Sequence, residues 1–410
     1  MDLDALRADT PGCATVLHLN NAGAALMPRP VYEAQTAHLA REYAIGGYEA
    51  KDEAHERVEA VYGSIARLLH AQPHEIAIVE NATRAFDMGF HAIPFAPGDV
   101  ILTSVAEYAS NYLAYLRMAE QVGVVVRVVP NDAHGQLDTM GLATLLDNPG
   151  HRVRLVAVSH IPTQSGLVQP AAAIGALTRP RGVLFFLDAT QSAGHLPLDV
   201  AALGCDLLCS TGRKYLRGPR GVGFLYARAA IIPTLHPPFI DLHAATWIGS
   251  DAYELRPDAR RFENWESNIA ATLGLGAAID YALALGLDAI WDRVHALAAR
   301  LRAGLAAIPG VAVHDRGATL GGIVTFTIGG HDPERIKDAL RLRRDRQGTA
   351  TARPINVSTS TFRGALHDFA DRPVQAWVRS SVHYYNSEQE LDEFLAIVET
   401  LARHPHLLAT

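Results

Sequence analysis

The chain has 410 residues, 49% of them hydrophobic and 19% charged, which is enough apolar side chain for one large domain and a smaller one. A net charge of −7 leaves no overall basic footprint, so nucleic acid is not an expected partner and an anionic ligand needs a local positive site. Three cysteines, Cys13, Cys205 and Cys209, exclude a disulfide framework; with no apolar signal region and no uncharged run of membrane-span length, a cytoplasmic protein without a membrane partner is expected.

Up to residue 285 the chain alternates short β-branched runs with longer helix-like segments. The runs are EIAIVEN (75–81), DVILTS (99–104), VVVRVVP (124–130), VRLVAVSHI (153–161), VLFFLDAT (183–190) and GVGFLYA (221–227), with another leading into CSTGRKYLRGPRGVGF (209–224). Several are apolar on successive residues, which predicts a mainly parallel sheet covered by helices on both faces. Residues 271–308 read as a helix broken at Gly286 and then a long amphipathic helix. The expected division is a large domain over 1–285, with roughly its first 20 residues packing on the other unit, and a smaller α+β domain over 286–410. The basic run RLRRDRQ (341–347) and the acids Glu49, Asp52 and Glu53 beside Tyr48 read as solvated helix faces. The Cys205-x3-Cys209 pair has no second half, so both are read as small buried side chains and no metal is expected.

In an open parallel sheet the ligand lies beyond the carboxyl ends of the strands, so the residues at the strand exits carry the functional signal. The first exit is Asn81-Ala82-Thr83, a turn into a helix that suits a phosphate. Next come Glu107-Tyr108, an aromatic ring able to stack on a flat ligand, and His160, followed by IPTQSG with Thr163. Asp188 ends the apolar run VLFFL, where a carboxylate is costly to bury unless a donor or cation meets it, and Gln191 follows three residues later. The last exit supplies Ser210, Thr211, Arg213 and Lys214. Taken singly these are a helix cap, a core tyrosine, a satisfied histidine and a solvated lysine. In this order, at the exits of one sheet, they are the parts of a pyridoxal 5'-phosphate (PLP) site, with basic neighbours for an anionic cofactor.

With those residues in view the chain resembles, over nearly its whole length, the class V aminotransferase branch of the fold-type I PLP enzymes, which includes the cysteine desulfurases and C–S lyases. The resemblance implies an α/β fold with a mainly parallel seven-stranded sheet sandwiched by helices and a smaller α+β C-terminal domain. Thr211-Gly212-Arg213-Lys214 fills the family's hydroxyl-Gly-His-Lys sequence, making Lys214 the Schiff-base lysine and placing Thr211 and Arg213, with Ala82 and Thr83, on the phosphate. Asp188 and Gln191 match the Asp-x-x-Gln motif and would meet the pyridine nitrogen and the ring oxygen. Tyr108 would stack on the ring where histidine is usual, and His160 would be a further cofactor contact. Arg379, in VRSSVHYYNSEQELDEF, matches the arginine for the substrate α-carboxylate, with Asn21 and Thr163 as further substrate contacts; desulfurases usually carry asparagine at the position of Thr163. The segment RRFENWESN (260–268) resembles the loop that reaches into the partner's site, so a homodimer is implied, with the stretch from Glu263 to Asn268 completing that site. Arg217 and Arg220 are open between contacts to phosphate or substrate and salt bridges to a neighbouring helix.

Cysteine desulfurases need a nucleophilic cysteine on a mobile loop in the last quarter of the chain. Here no cysteine follows Cys209, and RDRQGTATARPINVSTSTF supplies Ser358, Thr359, Ser360 and Thr361 instead. IGGYEA, SHIPTQSGLVQP, GPRGVG and RFENWESN look like the lyases of the ergothioneine and lincosamide pathways. The expected activity is therefore a PLP-dependent C–S β-lyase on an S-substituted L-cysteine, a small-molecule amino acid. The alternatives are decarboxylative oxidative deamination, epimerisation or transamination, and, from another class, a non-catalytic scaffold, against which the intact Lys, Asp and Arg set counts.

Overall fold

The computed structural model describes residues 1–342 and 353–408. Strands β1 (Ile76–Val79), β2 (Asp99–Ser104), β3 (Val125–Val129), β4 (Arg152–Ser159), β5 (Leu184–Asp188), β6 (Leu207–Thr211) and β7 (Gly223–Ala227) form one sheet in the order β1-β7-β6-β5-β4-β2-β3. From β3 to β6 neighbouring strands are parallel, and β7 runs antiparallel to both β1 and β6. The continuous apolar runs have a simple cause: successive side chains point to opposite faces, and both faces are covered. Val100, Leu102, Val156, Val158, Phe185 and Leu187 pack into one core, while Ile101, Leu155, Ala157, Leu184 and Phe186 pack into the other. Only the edge strand β3 keeps an alternating pattern, with Val125 and Arg127 exposed.

The helix Ile269–Leu285 ends at Gly286, whose φ of 83° lets the chain turn by 81° into the helix Leu287–Ala306. Beyond it β8 (Val311–Val313), β9 (Ile323–Ile328), β10 (Ser358–Thr361) and β11 (Ala376–Ser381) form an antiparallel sheet in the order β8-β9-β11-β10. Helices Pro333–Leu342 and Glu388–Arg403 pack on it through Ile336, Leu340, Phe394 and Val398. Leu6, Cys13, Leu17 and Leu19 of the N-terminal segment lie in this second core, and Leu17–His18 pairs in parallel with Ile355–Asn356. Among the described residues no single helix is long and apolar enough to cross a membrane. Of the basic run at 341–347, Arg341 and Leu342 end the helix Pro333–Leu342, and the rest lies outside the described residues.

One glycine brings two strand exits together. Gly223 opens β7 between Val79 of β1 and Thr211 of β6. A Cβ there would stand 2.5 Å from the Ser210 carbonyl oxygen and 2.9 Å from the Asn81 carbonyl carbon. The absent side chain is what lets the Asn81 turn approach Thr211. Gly223→Ala must push backbone against backbone, and a loss of about 1–3 kcal/mol in urea unfolding is expected.

Candidate active site

A cavity of about 270 Å³ opens at the carboxyl ends of the central strands, lined by Glu80, Asn81, Ala82, Thr83, Tyr108, Asn111, Ser159, Ile161, Thr163, Asp188, Thr190, Gln191, Thr211, Arg213, Lys214, Arg220 and Gly221. At one end the helix Ala82–His91 begins. The Asn81 side chain caps it by accepting from the Arg84 N–H at 2.9 Å, and the first-turn amides of Ala82 and Thr83 have no intrahelical acceptor. Thr211 and Arg213 line the same cavity, so amides, hydroxyls and a guanidinium border it together, as an anion site needs.

Lys214 follows β6 by three residues on a turn closed by Arg217 N–H to the Lys214 carbonyl and Gly218 N–H to the Gly212 carbonyl, both 2.8 Å. Arg217 holds that turn with a φ of 61°, its guanidinium bonded to the Leu26 carbonyl, the Tyr384 hydroxyl and Thr10 Oγ1 and lying 4.4 Å from the Tyr385 ring centroid. It touches neither the cavity nor a carboxylate, so both readings open for it at the sequence level give way to a third: it ties the lysine turn to the N-terminal segment. Burial first, and then the charges of Arg213 and Arg379, push the Lys214 ammonium down to about 7.

Asp188 Oδ2 accepts from Asn111 Nδ2 and Oδ1 from the Thr190 N–H, both at 2.9 Å, so donors rather than a cation meet the strand-end carboxylate. Tyr108 lines the cavity at the start of the helix Ala109–Val122. Beneath it Glu107, which does not reach the cavity, is enclosed by Thr103, Asn111, Tyr115 and Ser159; burial, and then Asp188, push it up to about 7.

Thr163 gathers the far end. Its Oγ1 accepts from Arg379 Nη1 at 2.7 Å and from Gln191 Nε2 at 2.9 Å. The second Gln191 N–H goes to the Ala22 carbonyl, leaving Gln191 Oε1 buried without a partner. Arg379 stands behind Thr163, buried, paired with no carboxylate among the described residues and with its Nε unpartnered. Burial brings its guanidinium down to about 10. A buried cation with free donors next to a cavity calls for an anion.

Several expected contacts lie elsewhere. The His160 ring rests on Ser192 at 3.1 Å, away from the cavity, and burial pushes it down to about 4, so it is a neutral structural histidine. Asn21 is spent on the Ser381 carbonyl and the Tyr385 hydroxyl; its neighbour Asn20 is the residue that meets Arg379, at 3.3 Å. Glu263 is buried in its own chain, accepting from Tyr62, the Ile78 N–H and His243, whereas Asn264, Glu266, Ser267 and Asn268 line a second cavity that shares Glu80 and Gly221 with the first. Arg220 lines the cavity from an exposed position. Glu53 pairs with Arg41 at the surface. Among the described residues no group of three or more His, Cys, Asp or Glu is arranged to hold a metal ion.

Asn111 was not singled out from the sequence; it stands in the first turn of the helix Ala109–Val122, four residues after Glu107, which precedes that helix. Asn20 had no local signal, because the loop carrying it is brought over the site only by the fold: Gly23 O accepts from Arg213, and the Ala25 N–H donates to the Arg213 carbonyl at 2.9 Å.

Residues 17–394 match the family described as aminotransferase class-V. The chain belongs to that family. It is 29% identical over 407 residues to a probable cysteine desulfurase of Methanothermobacter thermautotrophicus, covering 98% of each chain. Among solved structures it is similar to the apo cysteine desulfurase of Thermococcus onnurineus NA1, with a TM-score of 0.87, 28% identity and 98% of each chain covered. It is also similar to the cystine C–S lyase C-DES in complex with its product cysteine persulfide, with a TM-score of 0.81, 26% identity and 95% and 99% covered. In another C-DES structure glycine is covalently linked to the PLP cofactor. The protein is a PLP-dependent class V enzyme of the fold-type I branch. Its cavity fits that cofactor: a helix start with free amides at one end, a buried amine with a lowered pKa, a carboxylate held by two donors and, behind the lining residue Thr163, a guanidinium with no carboxylate partner among the described residues.

The lowered Lys214 pKa is directly measurable in the cofactor-free protein by competitive acylation read by mass spectrometry. Only the neutral amine reacts, so Lys214 labelling is expected to rise through a midpoint of about 7, far below the surface lysines. Arg213→Ala removes a neighbouring positive charge and should move that midpoint upward.

Proposed function

We propose that this enzyme is a C–S β-lyase: it takes an S-substituted L-cysteine and one water and releases a thiol (or, from a sulfoxide, a sulfenate), pyruvate and ammonia. The observation that carries this reading is the state of the three thiols. Cys13, Cys205 and Cys209 are all buried, and burial raises each of them, Cys205 to about 12. Taking sulfur as a persulfide needs an accessible thiolate, and this chain offers none. The desulfurase names of the relatives therefore speak to shared ancestry and cofactor, and the sulfur here leaves with its substituent.

PLP, when bound, supplies an electron sink conjugated to the substrate amine. The chain's own residues do the rest. Arg379, set in place by Thr163 and Asn20, takes the α-carboxylate and so fixes which bond at Cα stands perpendicular to the ring. Lys214 Nζ, neutral over much of the neutral range, removes the Cα proton. Asp188, oriented by Asn111 and the Thr190 N–H, keeps a proton on the pyridine nitrogen. Ala82, Thr83, Thr211 and Arg213 would hold the phosphate, and Tyr108 would lie against the ring. In the same reading the enzyme is a homodimer: Phe239, Leu242, Trp247, Ile248, Tyr253 and Trp265 are exposed on and around the hairpin of Ala245–Gly249 and Ala252–Leu255, apolar surface that a second copy would cover.

A panel of cysteine S-conjugates, assayed for pyruvate and free thiol, tests the reading. Stoichiometric thiol and pyruvate are expected; released CO2, or a carbon skeleton recovered intact, overturns it in favour of another outcome at the same carbon. Lys214→Ala is expected to abolish turnover, and Arg379→Ala to raise KM by at least about tenfold with a smaller effect on kcat. Replacing Cys13, Cys205 and Cys209 together by alanine should leave kcat within about threefold of the parent, since no sulfur passes through them.

A further inference from the structure

Glu107 is a buried carboxylate outside the cavity, yet it is bonded to two residues that line it. Its Oε1 accepts from Ser159 Oγ at 2.6 Å, the Tyr108 N–H at 2.7 Å and Asn111 Nδ2 at 3.2 Å; its Oε2 accepts from Thr103 Oγ1 at 2.9 Å and the Tyr115 hydroxyl at 3.3 Å. Asn111 Nδ2 carries two hydrogens. One goes to Glu107 and the other to Asp188, so a single amide nitrogen is held between two carboxylates. That arrangement allows one orientation only: turned over, the amide would present its oxygen to Asp188, acceptor against acceptor. The partners of Glu107 stand on β2, at the end of β4 and on the helix Ala109–Val122, all rigid elements, so its position is set before any ligand arrives.

We propose that Glu107 is a positioning residue for the cofactor: through Asn111 it aims the Asp188 carboxylate at the ring nitrogen, and through the Tyr108 backbone it places the ring that lies against that cofactor. The inference rests on the roles given above to Asp188 and Tyr108. It does not depend on which bond the enzyme breaks.

The two sides of the Glu107 carboxylate differ in a way that supplies the test. Oε1 faces two N–H groups that can only donate, whereas Oε2 faces two hydroxyls that can turn and accept. Glu107→Gln can keep its oxygen toward Asn111 and Tyr108 with its nitrogen toward the hydroxyls; Glu107→Leu loses both links. The readout is the dissociation constant for PLP, titrated into the cofactor-free protein and followed by visible absorbance and by the circular dichroism of the bound chromophore.

The expected pattern is a Glu107→Gln affinity within about threefold of the parent and a Glu107→Leu loss of at least about tenfold with an altered dichroic band. In the Asp188→Asn background, the further loss from Glu107→Leu should be smaller by at least about threefold, because one of the two groups it places is already changed and only the Tyr108 link is left to lose. If Glu107→Leu fails to fold, Asn111→Leu cuts the Asp188 link alone, and a loss of at least about threefold that disappears in the Asp188→Asn background is expected of it. Equal losses with Asp188 and in the Asp188→Asn background, or a Glu107→Gln variant as impaired as Glu107→Leu, overturn the proposal. A parent enzyme that binds PLP but cleaves no S-substituted cysteine refutes the lyase reading and leaves this one standing.

Discussion

An excess of buried positive charge is the constraint on which this active site depends. The buried Lys214 and Arg379 and the half-buried Arg213 lie close enough for their charges to act on one another, and the buried carboxylate among the lining residues, Asp188, is hydrogen-bonded by Asn111 and a backbone amide instead of by any of the three. A protein interior does not hold such charges together cheaply. Part of the strain is relieved by depressing Lys214, which turns a surface-type cation into a base of use near neutrality. In the proposed reading the remainder would be matched by what enters, a phosphate at the helix start and a carboxylate at Arg379.

The fold supplies that arrangement by converging segments far apart in the chain. Strand ends of the central sheet present Asp188 and, one turn on, Lys214; the glycine at position 223 lets the phosphate turn come up beside Thr211. Arg379 arrives on β11 of the smaller sheet. Between them runs the loop after Leu19, whose Asn20, Ala22 and Gly23 touch Arg379, Gln191 and Arg213 in turn. The N-terminal segment is thus a wall of the site as well as part of the second core. Arg217, in its cage of Tyr384, Tyr385 and Thr10, locks that segment to the lysine turn.

In the lyase reading, what sets this chain apart from the desulfurases it is similar to is where sulfur would go. Class V enzymes share the cofactor machinery, and a sulfur acceptor is an addition to it. The sequence carries hydroxyl residues in the stretch where the resemblance expects that addition, and the three cysteines present are buried side chains whose thiols burial raises. Thr163 fits the same picture: a short hydroxyl that braces Arg379 and Gln191 and leaves its own proton for whatever lies in the cavity.

Much of this was legible in the sequence alone. Short β-branched apolar runs bounded by turn residues read as strands covered on both faces, strand exits are where ligands sit, and Lys214, Asp188, Tyr108, Thr83 and Thr211 all follow such runs closely, so local order was enough to bring them to one cavity. What depends on the third dimension was not legible. His160 occupies a strand exit like its neighbours, yet its ring turns onto Ser192, because an exit residue can face either side of the sheet. Asn20 and Asn21 are adjacent and chemically identical; only packing against Ser381 and Tyr385 decides that the second is structural and the first meets Arg379. Residue order thus carried the sheet, which rests on short-range periodicity, and, through the resemblance of its motifs, the cofactor and the role expected of Lys214. Which side chains face the cavity, and how Glu107 reaches Asp188 through Asn111, was decided by tertiary structure, because hydrogen-bond direction is set only when distant segments meet.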